Sequence, residues 1–146
     1  MKLPKELFNG LLIFIGIALY FIIMELMGLS KEIYLRMLNA VFVYYGVRRT
    51  LKTNFQEGKS GYVFNLISAG LTAILGVFLS VLGLLIYIYA RGGDDYINNL
   101  SGEFIFGGNP TANQYAFGLL FEGIASAVII VFIAMQLWRN KTATSD

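Results

Sequence analysis

Two carboxylates and a guanidinium, Glu25, Glu122 and Arg36, stand inside or at the edges of long apolar runs in this chain. An ionised group in such a run is costly without a partner. Glu25 and Arg36 flank the break in YFIIMELMGLSKEIYLRMLN, residues 20–39, about equally far from Ser30 and Lys31. In an antiparallel helical hairpin, residues equidistant from the turn sit at similar depth, so these two are expected to face each other as an ion pair. Insertion scales assign roughly 2.5–3.5 kcal/mol to a charge at mid-bilayer and less near the edge, and pairing relieves much of that cost. Glu122 falls about seven residues into the last apolar run, roughly 10 Å deep at 1.5 Å per residue. Asn39, one turn beyond Arg36, and Tyr87, near the end of a third run, reach a similar level.

Glu25, Arg36, Asn39, Tyr87 and Glu122 are therefore expected to form one polar cluster. Two carboxylates sharing one guanidinium leave a charge to balance, by a proton held on one carboxyl or by a bound cation. Such groups serve either proton or cation passage or a hydrogen-bonded network that pins helices together.

Other chemistry has little to work with. The chain has no Cys and no His, so disulfides, thiolate nucleophiles and Cys/His metal sites are excluded. Asp94, Asp95, Asn98 and Asn99 are oxygen ligands suited to calcium, but they lack the alternating spacing of an EF-hand loop. Asp94-Asp95 could hold a diphosphate through magnesium if a second acidic cluster faced it, and Glu103 alone does not supply one. No metal site, cofactor or catalytic residue is expected. Asn99-Leu100-Ser101 has the letters of a glycosylation sequon, meaningful only in a glycosylating secretory pathway.

The elements that position the cluster follow from composition. Of 146 residues, 57% are hydrophobic and only 14% charged, with a mean hydropathy of +0.66. A water-soluble domain has about a quarter of its residues charged, so the expected class is an all-α integral membrane four-helix bundle. Spans are expected over about 7–27, 33–49, 62–90 and 115–138, with a loop at 50–61 and a longer one at 91–114. The opening MKLPKE resembles the basic start of a signal peptide, but the apolar run is too long and lacks a small-x-small cleavage site, so it should remain as an anchor. The second span is the shortest and crosses only if Arg48 and Arg49 extend it by snorkelling or the bilayer thins.

Basic residues set the orientation. Lys2, Lys5, Arg48, Arg49, Lys52, Lys59, Arg139 and Lys141 fall on one side, and Lys31, Arg36 and Arg91 on the other. Positive charge collects on the cytoplasmic face, so both termini and loop 50–61 are expected there. The net charge of +2 comes from residues at the ends of apolar runs and is no signal for nucleic acid.

Small residues indicate how the helices pack. Ala69, Ala73, Gly76, Ser80 and Gly83 recur at steps of four and three, which places them on one helical seam. Gly118, Gly123, Ser126 and Ala127 offer a shorter seam on the fourth span. In lipid, helices associate by close backbone approach, which small residues permit, so these seams pack either within the chain or against another subunit.

This layout resembles a family of small four-span bacterial inner-membrane proteins catalogued only as a domain of unknown function. The likeness is carried by the acidic residue in MELMGL at the end of the first span and by the second span running into a basic loop. The Gly-punctuated third span and the closing GIASAVIIVFIAMQLWRNK complete it. The resemblance implies a bacterial inner membrane; that family has no established activity, so no site residues follow from it.

The expected function is non-enzymatic: an accessory or structural membrane subunit, or a homo-oligomer, packing through the seams, with lipid and other membrane subunits or itself as partners. The alternative is a small proton- or cation-coupled transporter or channel using Glu25 and Glu122. A lipid-modifying enzyme ranks third.

Overall fold

The computed structural model describes residues 4–28, 37–59, 61–96 and 111–143, with side chains through Trp138 in the last segment. Four long helices account for most of them: α1 (Lys5–Leu26), α2 (Asn39–Gln56), α3 (Tyr62–Ala90) and α4 (Ala112–Ala143). No strand occurs among the described residues.

Local chemistry sets the helix ends. Pro4, in extended backbone, precedes α1, and Glu6 in the first turn complements the positive end of the helix dipole. After α2 the chain reverses at Gly58, whose φ of +80° is one that side-chain-bearing residues rarely adopt. Its N–H donates to the Phe55 carbonyl at 3.1 Å, and the Lys59 N–H donates to the Asn54 carbonyl at 2.9 Å. At the start of α4, Thr111 and Gln114 form a reciprocal capping box. The Thr111 N–H donates to Gln114 Oε1 at 3.0 Å, and the Gln114 N–H to Thr111 Oγ1 at 3.3 Å. The Ala112 N–H donates to Asp94 Oδ1 at 2.7 Å, so this aspartate caps a helix end.

Helix α2 corrects the expected layout. A loop was expected over 50–61, yet the helix continues through Gln56. Its buried face is Val43, Gly46, Val47, Thr50, Leu51 and Asn54, alternating steps of three and one that make a single stripe. Two of the last three are polar, so hydropathy alone stops short of the true end.

Helices α2 and α3 each touch all three of the others, whereas α1 and α4 do not meet. The bundle is therefore a rhombus with α2 and α3 on its short diagonal. At its centre sits Ile13 of α1, 1% exposed. A Cβ added at Gly76 of α3 would lie 2.6 Å from Ile13 Cγ2, and one added at Gly46 of α2 would overlap Ile13 as well. One branched side chain thus fills a hollow made by two glycines on two helices. Ala69, Ala73 and Ala127 are fully or almost fully buried in the same core, and Gly118 is buried on α4.

The exterior is far more apolar than that of a soluble bundle. Ile67, Leu71, Ile74, Phe78, Leu82 and Ile86 form an exposed apolar stripe along α3, and Phe117, Phe121, Ile129, Phe132 and Ile133 are exposed on α4. Within the largely apolar interior, Asn9, Thr50, Asn54, Asn65, Ser68 and Thr72 are also buried. Three helices are long and apolar enough to cross a membrane: Lys5–Leu26, Tyr62–Ala90 and Ala112–Trp138.

The buried polar groups form a directed chain. Arg49 Nε donates to Asn9 Oδ1 at 3.1 Å, and Asn9 Nδ2 donates to Thr50 Oγ1 at 2.8 Å. Thr72 spends its hydroxyl proton on the Ser68 carbonyl at 3.0 Å. The 2.7 Å contact between Thr50 and Thr72 must therefore be donated by Thr50. Ser68 Oγ in turn donates to Glu6 Oε1 at 2.7 Å. Helices α1, α2 and α3 are tied together at this end. Below the chain, Asn54 Nδ2 donates to Asn65 Oδ1, and Asn65 Nδ2 donates to the Lys59 and Gly61 carbonyls, fixing the α2–α3 turn.

Candidate functional site

The opposite end of the bundle carries most of the expected cluster, divided into two parts. Glu25, on the last turn of α1, accepts the single hydroxyl proton of Tyr96, whose oxygen lies 2.6 and 2.7 Å from its two carboxylate oxygens. Arg91 Nη2 lies 3.9 Å from the same carboxylate, with the arginine 57% exposed and the glutamate 19%. The guanidinium stands over the rings of Tyr87 and Tyr96, 5.8 and 5.9 Å from their centroids. Tyr87 meets Tyr96 edge-on at 5.9 Å and Phe21 at 5.6 Å. Glu25 is thus satisfied by residues at and just beyond the end of α3. Arg36, expected as its partner, lies outside the described residues.

Burial, together with the hydrogen bond to the Glu25 carboxylate, holds the Tyr96 phenol far above the usual tyrosine range. The folded protein keeps that proton more tightly than the unfolded chain does. The stability it contributes is complete below the ordinary tyrosine pKa of about 10 and is lost as pH rises beyond it. We expect an alkaline absorbance titration to show one tyrosine ionising only on unfolding, and this signal to vanish in Tyr96→Phe. That variant should lose about 1.5–3 kcal/mol, as for a hydrogen bond to a charged acceptor; a thermal-unfolding comparison at neutral pH measures it.

The second part is a cavity of about 360 Å³ walled by all four helices. Asn39 of α2, Tyr87 of α3 and Glu122 of α4 all line it, whereas Glu25 does not; its neighbour Met24 does. Tyr87 therefore belongs to both parts. Asn39 Oδ1 is buried and has no hydrogen-bond partner among the described residues. Ser80 lines the wall with its hydroxyl proton given to the Gly76 carbonyl at 2.7 Å.

The small-residue seams are shared between packing and cavity. Gly76 and the alanines serve helix contact, but Ser80, Gly83, Gly123 and Ser126 line the cavity. A Cβ at Gly83 would lie 2.6 Å from the Phe14 ring, and one at Gly123 would lie 2.6 Å from Val77 Cγ1. These two glycines let Phe14 and Val77 fold inward as the floor. On sequence they read as one seam because spacing gives a common face but not what opposes it.

Sequence reasoning missed Arg91 and Tyr96 as partners of Glu25, and the whole network at the other end. Arg91 lies four residues after Tyr87, a spacing that brings side chains together on a helix. Thr50 and Asn54, in the expected loop, and likewise Ser68 and Thr72, in the third expected span, show the same step of four. Among the described residues no group of three or more His, Cys, Asp or Glu is placed to hold a metal ion.

Comparison with known proteins finds no matching family model, curated protein or solved structure. The likeness to small four-span proteins therefore rests on layout alone.

Proposed function

We propose that this chain is a four-span protein of the bacterial inner membrane, with both termini cytoplasmic, and that it binds a small molecule within the bundle without transforming it. The observation that carries this reading is the cavity itself: apolar helices enclose a space in which Asn39, Tyr87 and Glu122 converge. Ligand sites are commonly hollows of roughly 300–1,000 Å³ with apolar walls and a few placed polar groups. A bundle built only to pack would fill such a space, since voids forfeit dispersion contact. The absence of Cys and His from the sequence, and the use of Asp94 as a helix cap, support binding over catalysis.

A second reading, an accessory subunit or homo-oligomer, is favoured by the apolar stripes on α3 and α4, which are broad enough to meet other transmembrane helices. The glycines at the centre of the seams are engaged within the chain, so such a partner would contact larger side chains. Native mass spectrometry after gentle extraction from the native membrane separates the readings. A retained small mass that dissociates on activation supports the binding role. A stoichiometric set of other polypeptides with no small molecule supports the subunit role instead.

A further inference from the structure

We infer that the outward face of α2 is a binding site for an anionic phospholipid, with the headgroup on Arg48, Arg49 and Lys52 and an acyl chain along the apolar turns beside them. The inference rests on the membrane placement proposed above and not on the cavity. All three basic residues are exposed, and with Val41 and Tyr45 they share one side of the helix, within an arc of roughly 100° at 3.6 residues per turn. Among the described residues the ion pairs at this end join Lys5 and Lys59 to Glu57, at 2.7 and 3.1 Å, and leave Arg48, Arg49 and Lys52 without a carboxylate. Lys52 lies four residues after Arg48 and three after Arg49, spacings at which like charges repel on a helix. A bound anion relieves that repulsion.

One of the three cations is already oriented. The buried Asn9 accepts from Arg49 Nε at 3.1 Å, and the guanidinium stands 5.8 Å from the centre of the Phe8 ring. Anchored through Nε, Arg49 keeps the N–H groups of its two terminal nitrogens for the paired hydrogen bonds that arginine makes to phosphate. The rest of the stripe identifies what the anion is attached to. Toward the start of α2 the same face turns apolar at Tyr45 and Val41, which are 57% and 61% exposed. Val41 is eight residues before Arg49, ~12 Å along the axis. A free phosphate or an acidic peptide would use the cations and leave these apolar turns unused, whereas a phospholipid uses both. Basic clusters beside a transmembrane helix attract anionic lipids at the cytoplasmic surface.

The test places full-length protein in nanodiscs of equal parts dimyristoyl phosphatidylglycerol and dimyristoyl phosphatidylcholine, which differ in net charge. Native mass spectrometry of the ejected protein counts the lipids it retains. Each basic residue near an anionic surface favours binding by about fivefold, so the wild-type protein should retain the anionic lipid over the zwitterionic one by at least about fivefold. Arg48→Gln/Lys52→Gln should remove most of that preference; Arg49 is kept because it also bonds Asn9. Lys59→Gln removes a charge already paired with Glu57 and should leave the preference within about twofold, less than the effect of one unpaired cation. Folded wild-type protein that retains both lipids equally would overturn the inference and leave the membrane placement standing. An equal loss in Lys59→Gln and the double variant would also overturn it, since diffuse net charge would then account for the preference. Protein that enters neither lipid would overturn the membrane placement, and this inference with it.

Discussion

Gly76→Leu should leave little folded protein. The added Cβ alone would lie 2.6 Å from Ile13 Cγ2 and 2.8 Å from Ile13 Cβ, and Ile13 has nowhere to retreat because Gly46 backs it on the other side. The obstacle is a β-branched side chain whose rotamers are few, not the flexible end of a long one. Overpacking by a few methylenes in a tight core costs roughly 1–3 kcal/mol and sometimes more; four added carbons here must also push α1 away from α3. Gly76→Ala should sit within that range, read as a lower unfolding temperature in detergent. Ile13→Ala should cost about 2–5 kcal/mol by leaving a cavity. The pair Ile13→Ala/Gly76→Ala should be more stable than the sum of its parts, with a coupling of about 0.5–3 kcal/mol. Strict additivity in this cycle would mean that the close approach of α1 and α3 is absent.

The second large effect is expected at Thr50. Its hydroxyl accepts from Asn9 Nδ2 and donates to Thr72 Oγ1, and all three groups are buried. Thr50→Val keeps the shape and removes both functions at once. Asn9 loses an acceptor and Thr72 loses a donor in an interior that offers few replacements. Each buried polar group left unpaired costs about 1–3 kcal/mol, so the variant should lose about 2–4 kcal/mol. Thr53→Val is the control on the same helix. That hydroxyl bonds only to the Arg49 carbonyl one turn back, in an exposed setting, and its loss should change stability by less than about 0.5 kcal/mol. Equal effects of the two substitutions would remove the directed chain from the account of what holds α2.

These effects bear on how much was legible from residues alone. Apolar length marked α1, α3 and α4, because a run such as 62–90 has no charged residue and leaves only its ends to settle. Depth along a helix also follows from counting, which is why Asn39, Tyr87 and Glu122 could be placed at one level and do share one cavity. Rotation about the helix axis does not follow from counting. Glu25 therefore proved to face Tyr96 and Arg91 and to lie off the cavity wall. Helix α2 was misjudged for the opposite reason. Its buried stripe ends in Thr50 and Asn54, and a rule that equates burial with hydropathy stops at the arginines. The letters Thr-Ala-Asn-Gln at 111–114 do spell a capping box, which an apolar-run boundary at Tyr115 passes over.

The central proposal is that a bundle with an apolar exterior and a network of polar groups buried in its core crosses the membrane four times, α2 included. Because the chain has no cysteine, a single introduced one is the sole target for a maleimide. Met27→Cys, Lys59→Cys and Asp95→Cys place that target on exposed residues after α1, after α2 and after α3. With the outer membrane permeabilised and the inner membrane intact, an impermeant maleimide should label Met27→Cys and Asp95→Cys. It should reach Lys59→Cys only after the inner membrane is broken. Labelling of Met27→Cys and Lys59→Cys from the same side would contradict the account, since α2 would then lie along the membrane and the cavity would lose one of its four walls.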